Sequence, residues 1–149
     1  MADPRENAES RILLARVMLD ELSVAHCADL VSSASAGAVV TFEGVVRDHD
    51  DGRGVEALEY EAHPSATAVL REVAVEIAHE HPAVAIAVEH RSGPLGIGDV
   101  ALACAVASAH RAEAFAACGA LVDRVKERVP IWKKQDFTDG STEWVASLS

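Results

Sequence analysis

The chain holds three lysines, Lys126, Lys133 and Lys134, and all of them fall within one nine-residue segment. The remaining side-chain cations are ten arginines. Arginine keeps its proton in a protein, whereas a lysine amine gives it up when burial or neighbouring charge lowers its pKa. Two cations held close depress each other's pKa, so clustered amines suit acid–base work on an anionic ligand. Exposed lysines also cluster by accident. Asp123, three residues before Lys126, is placed to pair with it and keep it charged. At the level of residues these alternatives stay open.

Further candidates flank the lysines. His110 and Arg111 lie where a strand is expected to pass into a helix, and a helix N-terminus attracts anions through free N–H groups and the helix dipole. That pair suits a phosphate, and equally a solvated arginine beside a turn histidine. Arg47 ends a predicted strand next to an Asp/Gly-rich loop, as another anion contact or as a solvated strand end. Trp132 reads as a core aromatic. Because Pro130 ends the helix, the chain can turn back there and bring Lys126 and Lys133 toward one pocket, with His110 and Arg111 expected nearby.

The elements that must position these groups follow from periodicity. Strands are predicted over 11–19, 37–47, 55–61, 83–91, 100–109, 131–137 and 142–146, and helices over 23–33 and from Pro64 to before Pro82. A last helix runs from His110 to Val129, with Phe115, Cys118, Val122, Val125 and Val129 as its apolar stripe. The segments 48–54 and 92–99 read as a mobile loop and a turn. Gly44 inside a strand indicates a bulge or a close backbone approach. Val100, Leu102, Cys104 and Val106 alternate with alanines, so a neighbour is expected to pack closely on the alanine face. The order β-α-β-β-α-β-β-α-β-β describes an α+β domain with largely antiparallel pairing. Residues 1–10 read as a disordered tail and 11–149 as a single domain.

Composition narrows the function. A formal net charge of -11 disfavours nonspecific binding to nucleic acid or anionic membranes. Against that average, Arg111, Arg124, Lys126, Arg128, Lys133 and Lys134 form a local positive field. Three widely spaced cysteines read as reduced, buried thiols in a cytoplasmic protein. The run Ile12–Leu19 is short and interrupted by Arg16, unlike a signal peptide or a membrane span. No metal site is expected: His79 and His81 cannot share a helix face, and no cysteine stands at zinc spacing. Phosphate-loop, dinucleotide and nucleophile-elbow motifs are missing.

Five blocks carry a family likeness: GAVVTFEGVVR (37–47), LEYEA (58–62), HRSGPLGIGD (90–99), HRAEAFAAC (110–118) and DRVKERVPIWKK (123–134). In order and content they resemble the large, catalytic subunit of molybdopterin synthase, over nearly all of the chain from about residue 11. The resemblance implies an α/β hammerhead-type fold with an additional antiparallel sheet, and a homodimer within a heterotetramer. Each end of the dimer would bind a small ubiquitin-like sulfur carrier bearing a C-terminal Gly-Gly thiocarboxylate. The activity implied is sulfur transfer to cyclic pyranopterin monophosphate, forming the dithiolene of molybdopterin, with no cofactor. By motif, Lys126 and Lys133 take the catalytic positions. Arg47, His110, Arg111 and Lys134 take anion-binding ones, and Phe42 a pocket wall. Two departures stand out. Gln135 replaces a carboxylate that relatives often carry, and a basic residue expected after Trp144–Val145 is missing. A non-catalytic module docking the carrier tail, or a phosphate-ligand sensor, would use the same cationic pocket.

Overall fold

The computed structural model describes residues 4–146. Two sheets form. In the first, β1 (Ile12–Met18), β5 (Ala85–Arg91), β7 (Val100–Ser108) and β2 (Ala38–Val45) lie in the order β1-β5-β7-β2. Only β1 and β5 run parallel; β5–β7 and β2–β7 are antiparallel.

The alternation in β7 sorts its side chains between two layers. Leu102, Cys104 and Val106 join the main core, which α3 (Ala66–Glu80) closes with Leu70, Val73 and Ile77. Ala103, Ala105 and Ala107 face the other way, against Cys27 and Val31 of α2 (Val24–Val31). Side chains of one carbon let that short helix sit close to the sheet, the neighbour expected from the alanines.

The long helix, α4 (Arg111–Arg128), lies beside α3 but is rotated from the expected stripe. Ala114, Ala117, Cys118, Leu121 and Val125 are buried, whereas Phe115 is 63% exposed. Alanines at the contact allow close approach to β7 and α3, and a phenylalanine there would hold the layers apart. The same rotation points Arg124 and Arg128 at α3. Arg124 pairs with Glu80 (2.9 Å from Nη2 to Oε1), and Arg128 pairs with Glu76 and with Glu72 at 3.5 Å. The positive field expected from six cations therefore loses these two to acidic partners.

The second sheet is wholly antiparallel: β3 (His49–Asp50), β4 (Arg53–Ala62), β8 (Ile131–Phe137) and β9 (Thr142–Ala146), with β6 (Gly93–Gly96) also on β4. Two corrections follow. Residues 48–54 form a hairpin rather than a loop, because Asp51 (φ 51°) and Gly52 (φ 77°) both adopt the left-handed backbone that a tight two-residue turn needs. Within 92–99, Gly93–Gly96 pairs with Ala57–Tyr60 as a strand. Trp132 is also corrected: it is 43% exposed on β8, facing away from the core.

The expected disordered tail is replaced over Pro4–Ser10 by α1, a helix seated on α3, with Ala8 fully buried. Residues 1–3 lie outside those described. Arg11 then donates to the carbonyl of Ala78 (2.7 Å) in the last turn of α3, an acceptor the helix end leaves open, and to those of His81 (3.2 Å) and Val84 (2.7 Å) in the link to β5. The result is a mixed α+β fold. No helix among the described residues is long and apolar enough to cross a membrane.

Candidate functional site: a cationic hollow where the two sheets meet

Strand β2 starts the site. Its alternation turns Phe42 and Gly44 inward, and a bulge between Gly44 and Val45 shifts the register against β7 just before the strand ends and the chain reaches Arg47. With no side chain at Gly44, space remains beside Phe42 Cε1 and Leu102 Cβ, which lie 3.4 and 3.5 Å from where a Cβ would stand. The last turn of α4 contributes Val125 and Lys126, and β8 contributes Lys133. Together with Arg47, Tyr60 and His90 these residues enclose a hollow of about 420 Å³.

Three cations thus line one hollow, Lys126 from α4, Lys133 from β8 and Arg47 from the link after β2. Among the described residues none of the three lysines forms an ion pair, so Asp123 does not neutralise Lys126. Lys133 is half-buried, and its ammonium is held below the usual lysine range. Burial is the main cause; the nearby Asp50 opposes it, and Arg47 and Lys126 add to it. Arg47 Nη2 pairs with Asp50 Oδ1 at 3.3 Å, and Gln135 Nε2 donates to Asp50 Oδ2 at 2.7 Å. The amide at position 135 thus brings a carboxylate to the site from Asp50.

The back wall is aromatic. Tyr60 and His90 meet edge to face, with ring centroids 5.1 Å apart. His90 Nδ1 donates to the carbonyl of Arg91 at 2.9 Å, which makes Nε2 the acceptor of a neutral ring. Burial holds that imidazole down at about 4, against the small opposing effect of the same hydrogen bond.

Of the residues expected at the site, Phe42, Arg47, Lys126 and Lys133 come together. Lys134 does not. It follows Lys133 in β8, and the period of two sends it to the other face, where Nζ lies 6.0 Å from the Trp144 ring centre. His110 and Arg111 are also apart from it. They begin α4 while Lys126 lies in its last turn, and a rise of 1.5 Å per residue separates the two ends by roughly 22 Å. Ala146 follows Trp144–Val145 at the end of β9, in place of the expected basic residue, and residues 147–149 lie outside those described. Tyr60 and His90 line the hollow and Asp50 stands beside it without being expected there, whereas Gln135 is the position where the resemblance implies a carboxylate. The H-R pair at 90–91 and the chain's single tyrosine were the available signals. No cluster of three or more potential metal ligands occurs among the described residues.

The family described as "MoaE protein" matches residues 17–128. The chain is 40% identical over 127 residues to a molybdopterin synthase catalytic subunit of Nostoc sp., covering 84% of this chain and 77% of that one. Its counterpart in Staphylococcus carnosus is 44% identical over 118 residues, covering 78% of each. Among solved structures, molybdopterin synthase from Staphylococcus aureus superposes with a TM-score of 0.83 at 36% identity, covering 88% of this chain and 96% of that one. A Helicobacter pylori complex of subunits 1 and 2 of molybdopterin-converting factor shares the fold at a TM-score of 0.65 and 18% identity, covering 91% of this chain and 89% of that one. With the family matched over most of its length, the chain belongs to the MoaE protein family.

Proposed function

We propose that this chain is the catalytic subunit of a molybdopterin synthase. It moves sulfur from the C-terminal thiocarboxylate of a small ubiquitin-like carrier to cyclic pyranopterin monophosphate and so builds the dithiolene of molybdopterin. The observation that carries this reading is the convergence of Arg47, Lys126 and Lys133 on one hollow in a chain of net charge -11. Donor tail and substrate are both anionic and repel each other. A positive hollow in an acidic surface draws in both and offsets that repulsion. The names carried by the relatives agree with it.

In this reading Lys126 lies against the thiocarboxylate and relays protons while the thiocarboxylate sulfur forms a C–S bond to the pterin side chain in place of a C–O bond. Water then cleaves the acyl C–S bond and returns the carrier tail as a carboxylate. Lys133, held below the usual lysine range by burial, activates the substrate. Arg47 takes the phosphate, and Phe42 walls the pterin. The protein works as a homodimer within a heterotetramer, in the cytoplasm. Because α4 separates His110 and Arg111 from Lys126 of the same chain, they serve as phosphate ligands only in the hollow of a second copy. We take residues 11–149 as one domain of α/β hammerhead type, with the five-stranded sheet as its added antiparallel part.

The test is reconstitution. The pure chain, mixed with thiocarboxylated carrier and precursor, is expected to yield molybdopterin. Carrier binding without product would favour the non-catalytic docking module instead. Tight binding of a phosphate ligand with no carrier present would favour the sensor.

A further inference from the structure

Four polar or charged residues are buried among the described residues: Glu89, His90, Ser108 and Gln135. Glu89 is paired with Arg16 across the β1–β5 register, and Ser108 lies near Glu113 at the start of α4. Gln135 differs, because its partner belongs to the site. It is 3% exposed, and its Nε2 spends its hydrogen bond on Asp50 Oδ2 at 2.7 Å. The other Asp50 oxygen takes Arg47.

We infer that Asp50 and Gln135 are a positioning pair for the hollow: the buried amide fixes the Asp50 carboxylate where it braces Arg47 and offsets the charge around Lys133. The inference rests on the reading that Arg47 and Lys133 act on the substrate.

The geometry is set from both sides. Lys133 and Gln135 are two residues apart on β8, so strand alternation turns them to the same face. The Asp51–Gly52 turn folds β3 back onto β4 and so fixes the position of Asp50. A cavity of about 70 Å³, lined by Arg47, Asp50, Tyr60, Lys133 and Gln135 among others, adjoins the larger hollow and shares three of these residues with it. A buried amide donor left without an acceptor is costly, so Gln135 favours the one Asp50 position that satisfies it. Arg47 is otherwise exposed, and with the carboxylate fixed it is directed to the mouth of the hollow. The carboxylate also opposes the lowering of the Lys133 pKa and is itself held below the usual aspartate range, first by the Gln135 hydrogen bond.

The test is a polarity exchange in the full complex of this chain, thiocarboxylated carrier and precursor. Gln135→Glu sets two carboxylates against each other, and Asp50→Asn removes the only one. Each single variant is expected to lose about tenfold in kcat/KM, and the double variant Asp50→Asn/Gln135→Glu to recover to within about threefold of wild type. The pH–rate transition assigned to Lys133 should move down in Asp50→Asn and up in Gln135→Glu, a response that a purely structural contact does not produce. A double variant no better than Gln135→Glu alone would overturn the pairing, even where Asp50→Asn folds poorly. Wild-type kcat/KM and an unshifted profile in Asp50→Asn, with Lys133→Ala inactive, would overturn the inference and leave the site reading intact. Wild-type turnover in both Lys133→Ala and Arg47→Ala would remove that reading and the inference with it.

Discussion

Tyr60 and His90 stand edge to face at the back of the hollow, ring planes 83° apart and centroids 5.1 Å apart. His90 is 3% exposed, and burial holds its pKa at about 4 against an ordinary 6.5. Below the ordinary value the unfolded chain takes up a proton that the folded chain refuses. Folding stability should therefore fall as pH drops from about 6.5 toward about 4, by roughly 3 kcal/mol in all. Denaturant unfolding across that range reads it. In His90→Asn the slope attributable to this ring should vanish, and an unchanged slope would mean the ring does not titrate as described.

Lys133 and Lys134 are neighbours in sequence with opposite surroundings, and their alanine variants should separate. Lys133→Ala removes a cation from the hollow and should cost about 10²-fold in turnover, the range seen for loss of one electrostatic contact to a transition state. Lys134→Ala loses a distant cation–π contact, with roughly 0.5 kcal/mol of stability and little activity. Steady-state kinetics and thermal melts on the two variants decide it. Equal losses of activity would contradict the strand alternation.

Gly44 leaves part of the hollow open beside Phe42 and Leu102, where the proposed function places the substrate. A valine there suits a strand, and its Cβ would meet Phe42 and Leu102 at ordinary contact distance, so the fold should survive. The added methyl groups reach into the hollow, and kcat/KM should fall by about 10- to 200-fold, mostly through KM. A variant with wild-type KM would place the substrate elsewhere.

Ala105 tests the close seat of α2. Ala105→Leu puts three extra carbons between β7 and α2 and should destabilise by about 1–3 kcal/mol. Activity in the folded fraction should remain, because this layer lies on the far side of the sheet from the main core that contains Leu102 and Val125. Chemical denaturation and specific activity report the two effects separately.

Much of this arrangement was legible in the residues. Strand and helix periods located β2, β7, α3 and α4, and the bulge at Gly44 and the alanine face of β7 both appear where the sequence predicts them. Local pattern did not reveal which way α4 turns. Phe115 is the most apolar residue of its turn, yet contact with α3 and β7 selects Ala117 and Leu121 instead. Glycines and aspartates make both β3 and β6 read as loop; β6 in addition pairs with Ala57–Tyr60 of β4, remote in sequence, whereas β3 is a local hairpin closed by Asp51 and Gly52. In the site, Lys126 and Lys133 follow from Pro130 turning the chain back. Lys134 departs from the expectation, since strand alternation sends it to the opposite face from Lys133. His110 and Arg111 were expected within reach of Lys126, although the length of α4 forbids it within one chain.

The central claim is that Lys126 does chemistry rather than only holding the carrier tail. The most direct measurement is single-turnover dithiolene formation by Lys126→Ala with saturating thiocarboxylated carrier, alongside carrier affinity by calorimetry. A rate lower by about 10²-fold or more, with carrier affinity close to wild type, is the predicted result. Precursor conversion at the wild-type rate would contradict it.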